Sequence, residues 1–175
     1  AKLVNPRDEA TLARLAALAV LGNDAAAFDA LVKDIESFDP KPAAFYHDLA
    51  DALDGRKQYA KSEGFFRKAA ELRPQLPAAK AQLGMLLLRT GREAEAKVVL
   101  DDAFKADPFN VRVSNSRKVL KHLETYTTVE TPHYAVRFDP KADKLLAPFL
   151  AEYLEEVHAA FAKDYAFAFD GKVVV

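Results

Sequence analysis

The stretch PAAKAQLGMLLLRTGREAEAKVVLDDAFKADP, residues 77–108, decides the fold. Pro77 suits a first helical turn, where its missing N–H has no partner to lose. Leu83, Gly84 and Leu87 share one face at helical spacing, and Thr90-Gly91 turns the chain. Ala96, Leu100 and Ala103 then line a second helix that stops before Pro108. Prolines recur at this place 34 residues apart, at Pro40, Pro74 and Pro108, each closing an amphipathic stretch. A fixed period of this size predicts helix–turn–helix units stacked side by side, each burying its neighbour's apolar face.

Residues 43–74 repeat the pattern. Pro42 precedes a helix expected from Ala43 to about Asp54, with Tyr46, Leu49, Ala50 and Leu53 as its stripe; Gly55 breaks it. Tyr59, Ser62, Phe66 and Ala69 mark the partner helix before Pro74. Residues 9–40 repeat it less faithfully: Leu12, Leu15 and Ala16, a turn at Gly22-Asn23-Asp24, then Phe28, Leu31, Val32 and Ile35. Spacing, turn glycine and closing proline together resemble the tetratricopeptide repeat, a right-handed α-solenoid. In that family a small residue stands where Ala50 and Ser62 stand, because the helices cross closely there, and a large aromatic near Phe66 fills the gap to the next unit. Lys80 departs from the bulky aromatic common at that position. Phe28 is too large for a close crossing, so the first pair is expected to splay.

Beyond Pro108 a seventh helix is expected over about Asn110 to Glu124, apolar at Val111, Val119, Leu120 and Leu123 and solvated at Arg112, Arg117, Lys118 and Lys121. It reads as a cap on the last repeat. The character then changes. Tyr126 to Phe138 has a strand pattern, with Tyr134, Val136 and Phe138 alternating with His133, Ala135 and Arg137. A helix from about Lys141 to Tyr165, a loop from Phe167 to Gly171 and a strand over Lys172–Val175 follow. The two strands are expected to lie adjacent and parallel. The segment Thr131 to Pro140, the helix bearing LAEYLEE and the strand GKVVV resemble the opening of the peptidase-MA-like zinc metallopeptidase domain that follows such repeats in some bacterial proteins. The resemblance implies a larger parent protein, of which this chain is an N-terminal fragment. It carries over no catalytic residue, because the zinc-binding H-E-x-x-H helix lies further on in that family.

The expected organisation is therefore mainly α: residues 1–125 as three helix pairs with a cap, and residues 126–175 as an incomplete strand–helix–strand piece. The chain opens at Ala1 without methionine, which reads as a processed or recombinant piece and leaves localisation open. Its 25 basic and 26 acidic residues give a net charge of −1, against the basic excess of most nucleic-acid binders. Without cysteine there is no disulfide or thiolate metal site. No apolar run is long enough to span a membrane. None of His47, His122, His133 and His158 lies three or four residues from another, so no cofactor is expected in this chain, and zinc belongs only to a downstream domain. Glu155 and His158 read as part of a solvated helix face, and His133 as an exposed strand residue.

The better candidate site is the concave face lined by the first helix of each pair: Ala13 and Ala17, His47 and Asp51, then Ala81, Met85, Leu88 and Arg89. Small and apolar positions with one methionine suit an extended or helical segment of a partner protein. The competing reading is that they merely fill a tight superhelix. Repeat proteins that grip the acidic tails of heat-shock chaperones use a lysine–asparagine clamp here, which His47 and Asp51 do not provide. The expected function is a protein- or peptide-binding scaffold. The alternative is a rigid support for a peptidase lobe, with no ligand of its own. Self-association through the C-terminal strands is expected of a small sheet with free edges.

Overall fold

A computed structural model describes residues 5–166 and 171–175. The chain forms two compact units, Ala1–Arg117 and Lys118–Val175. The division falls inside the seventh helix, whereas the sequence pattern places the change of character just after it.

The first unit contains α1 (Glu9–Leu21), α2 (Ala25–Glu36), α3 (Ala43–Asp54), α4 (Tyr59–Leu72), α5 (Pro77–Arg89), α6 (Glu93–Ala106) and the start of α7 (Val111–Leu123). Asp8 and Asp24 cap α1 and α2, their carboxylates accepting from the amides of Thr11 and Ala27 at 2.9 Å. Gly91 turns α5 into α6 at φ 77°, a conformation that costs glycine least. The first helices α1, α3 and α5 pack in a row, and each second helix folds back on its own first helix. This is a tetratricopeptide-like solenoid. Leu12, Phe45, Tyr46, Leu49 and Leu53 form the main core, and Phe66, Leu83 and Leu100 are buried as their spacing requires.

Helix pairs close through small residues. Between α3 and α4 the buried Ser62 hydroxyl donates to the Ala50 carbonyl at 2.8 Å. Between α5 and α6 a Cβ added to Gly84 would stand 2.5 Å from Leu100 Cγ, closer than a packed core tolerates. The first pair lacks this device. Phe28 turns to Phe65 of α4, with ring centroids 5.7 Å apart, and Ile35 is the only residue of α2 that is fully buried. Leu15, expected in the packing stripe, is 36% exposed as a result.

On α7 the apolar reading needs correction: Val111 and Val119 are exposed, and Val113 and Leu120 are buried instead. Arg117 is not simply solvated. Its Nε meets Asp101 at 2.5 Å, and its guanidinium lies 4.2 Å from the Phe104 ring centroid.

The second unit has β1 (Thr127–Glu130), β2 (Tyr134–Phe138), α8 (Ala147–Tyr165) and β3 (Val173–Val174), in sheet order β1-β2-β3. The single strand pattern over 126–138 is in fact a hairpin, with Val129 opposite Val136. Pro132, which has no N–H to donate, falls between the two strands. β3 pairs parallel to β2, with Tyr134 opposite Val173, as expected. The helix begins at Ala147 rather than Lys141, because Pro148 fits only a first turn. Tyr134, Val136 and Ala151 form a small core between helix and sheet. The opposite side of α8 leaves Phe149, Tyr153, Phe161 and Tyr165 exposed. Of the expected loop from Phe167 to Gly171, all but Gly171 lies outside the described residues. No helix among the described residues is long and apolar enough to cross a membrane.

Candidate functional site

The helical period brings first-helix residues 34 apart onto one face, and the first unit carries an open cavity of about 180 Å³ there. His47 of α3, Ala78, Ala81, Gln82 and Met85 of α5, and Asn110 and Arg112 at the start of α7 line it. Alanines at 78 and 81 leave the depth, and Met85 supplies an adaptable apolar wall. The Ser116 hydroxyl lies 3.1 Å from Met85 Sδ, joining α7 to that wall. Asn110 caps α7: its Oδ1 accepts from the Val113 amide at 3.1 Å and its carbonyl from Ser114 at 2.9 Å. That cap fixes where Arg112 stands.

His47 is the most chemically specific member. Its Nδ1 lies 3.1 Å from Asp48 Oδ1, and since a carboxylate only accepts, Nδ1 carries the proton. In the neutral ring Nε2 is then a bare acceptor. It is buried and has no hydrogen-bond partner. The ring also meets Phe66 edge-on at 5.8 Å, which ties the site to the core.

Three of the residues expected on this face, His47, Ala81 and Met85, meet in the cavity. Ala13 and Ala17 do not line it; both are buried in the core. Asp51 is exposed one turn beyond His47 and outside the lining. Leu88 is half-buried, also outside the lining. Arg89 is engaged by Asp54, its Nη1 within 2.7 and 2.9 Å of the two carboxylate oxygens, and lies over Tyr59. Gln82, Asn110 and Arg112 are additions from the structure. The signal for the last two was in the sequence: an asparagine after Pro108 is a helix-cap residue, and Arg112 lies 34 residues after Ala78.

The second unit holds a separate polar cluster. Glu155 accepts from the His133 amide at 2.8 Å and lies 2.6 Å from its Nδ1, and the His133 ring stacks on His158 at 3.8 Å. Hydrogen bonding from Thr131, then from His133, holds the Glu155 carboxyl well below its usual range, at about 2. The sequence reading of these three as an exposed strand residue and a solvated helix face is therefore corrected: they lock α8 to the turn before β2. Among the described residues no group of three or more histidine, cysteine, aspartate or glutamate side chains is placed to hold a metal ion.

With this geometry established, a family model described as tetratricopeptide repeat matches residues 55–118. That segment is a tetratricopeptide-repeat segment. It runs from the turn after α3 into α7 and leaves out the less faithful first pair. No curated protein sequence matches the chain. Among solved structures, the TPR domain of Arabidopsis OM64 is similar with a TM-score of 0.50 at 17% identity, over 65% of this chain and 94% of that one. The first TPR of Spaghetti (RPAP3), bound to the HSP90 peptide SRMEEVD, aligns with a TM-score of 0.51 at 16% identity, over 66% of this chain and 95% of that one. MamA aligns over 95% of this chain and 85% of its own, with a TM-score of 0.51 at 14% identity. At these identities the likeness is one of fold.

Proposed function

We propose that the first unit is a protein-interaction scaffold that holds a polypeptide segment along the face of α3, α5 and the start of α7. The observation that carries this reading is the open cavity with an apolar wall, a polar rim and a buried acceptor, His47 Nε2, that lacks a donor. A residue that merely filled a tight superhelix would have no reason to keep a bare lone pair out of water, at a cost of about 1–3 kcal/mol. A peptide N–H is the natural complement. The solved relative with a bound HSP90 peptide supports the reading by fold, not by shared side chains.

Selection of displayed peptides on the full chain tests it. Peptides should be recovered whose binding is lost on Met85→Lys, which places a charge in the cavity wall. Recovery of peptides indifferent to that change, or of none, ends the reading.

A second reading makes the repeats a rigid support within a larger zinc metallopeptidase. The exposed aromatic side of α8 favours it, since such a surface suits burial against further structure. Sequencing the gene beyond Val175 decides: a frame without H-E-x-x-H removes this reading.

A further inference from the structure

We infer that the cavity takes an acidic side chain of an extended peptide, and that a basic residue of the same peptide lies against Asp51. The inference rests on the peptide-binding reading above and adds the charge pattern of the ligand. It begins with Arg112. Arg67, Arg73, Arg89, Arg92 and Arg117 of the same unit each hold a carboxylate. Arg112 makes no ion pair among the described residues, although it lines the cavity, and no carboxylate lines the cavity with it.

A second source of positive potential lies beside it. Arg112 is the second residue of α7, and the first amides of a helix have no carbonyl partner within it. Asn110 occupies the Val113 and Ser114 amides, which leaves those of Val111 and Arg112 at the positive end of the helix dipole. Guanidinium and helix end thus favour the same ligand charge. Asn110 and Gln82 add neutral polar contacts, and Ala78, Ala81 and Met85 accept the methylenes behind a carboxylate.

Asp51 sets the other half of the pattern. It is exposed one helical turn from His47 and makes no ion pair among the described residues. A uniformly acidic tail would meet it with like charge, whereas a segment with a basic residue on that side would not. The cavity is open rather than closed, so a chain can enter and leave it. The carboxylate is therefore that of a side chain within the segment.

Titration of the isotopically labelled full chain with capped hexapeptides, followed by NMR, tests this. KALEAL should shift the signals of Arg112, Asn110 and Gln82 and bind about tenfold more tightly than KALQAL, the worth of one charge-assisted hydrogen bond. Arg112→Gln should abolish that difference while both peptides still bind. Asp51→Asn should abolish the advantage of KALEAL over AALEAL. Equal binding of KALEAL and KALQAL to the wild-type cavity overturns the charge assignment and leaves peptide binding standing. Equal binding of KALEAL and a KALQAL peptide with a free C-terminus overturns the choice of a side chain. If no peptide perturbs the cavity, the inference and the reading beneath it both fail.

Discussion

The first helix pair and the two that follow it share a period but not a closure. Leu15, Leu49 and Leu83 are equivalent positions 34 residues apart, yet Leu15 is 36% exposed while Leu49 and Leu83 are 0% and 4%. The crossing opposite them explains it. Phe28, Ser62 and Ala96 occupy one position, and Ala16, Ala50 and Gly84 the other. Where both residues are small, the helices meet; where one is phenylalanine, the ring leaves for Phe65 and the leucine stays uncovered. Apolar content does not close a helix pair unless the crossing has room.

The largest effect expected from this comparison is at Phe66, which fills the gap between the second and third pairs. Phe66→Ala should destabilise the chain by about 3–5 kcal/mol, read by chemical denaturation, whereas its first-pair equivalent Val32→Ala should cost far less. Equal losses would mean that the first pair is packed as tightly as the others. Next comes Gly84→Ala. The added methyl meets the branched carbon of a fully buried Leu100, so a loss of about 1–3 kcal/mol is expected. Ala16→Gly, the reverse change at the loose crossing, should cost only about 1 kcal/mol, through helix propensity. Ser62→Ala is smaller than Gly84→Ala, about 0.5–1.5 kcal/mol, since one hydrogen bond is lost and the carbonyl keeps a helical partner.

The smallest effect is electrostatic. Arg67 and Arg92 bridge Glu63 and Glu95 between α4 and α6, an interlock of the second and third pairs. Burial works to raise the Glu63 carboxyl, but hydrogen bonds from Arg67 and Arg92 outweigh it and hold it below its ordinary 4.5. Arg92 does the same for Glu95. A depressed carboxylate stabilises the fold fully above its ordinary value, and that contribution fades as pH falls below 4.5 toward the lowered value. Glu63→Gln should therefore reduce the melting temperature slightly at pH 7 and leave it unchanged near pH 2. A deficit that persists at low pH would assign the loss to packing.

The repeats were legible because proline, glycine and small residues recur at one period, and each of those types constrains the backbone directly. The cap was less legible for a related reason. Reading α7 by its apolar residues selects Val111 and Val119, whereas continuing the 34-residue phase selects Val113 after Ala79 and Leu120 after Leu86, which are the buried ones. The same continuation leads from Ala78 to Arg112. His47, Ala81 and Met85 were visible as a stripe, but Asn110 and Arg112 join it only when the cap is treated as a fourth first helix. The second unit escaped differently: its hairpin and the Glu155 lock depend on pairing between distant segments, to which local periodicity is blind.

Met85 gives the cavity a built-in chemical reporter. The chain has one methionine, no cysteine and no tryptophan, so a mild peroxide finds a single readily oxidised sulfur in the whole molecule. That sulfur stands in the cavity wall, touched by the Ser116 hydroxyl. The rate at which the intact protein gains one oxygen, followed by mass spectrometry without any label or mutation, therefore measures how often the groove is open, and any occupant of it should slow the clock.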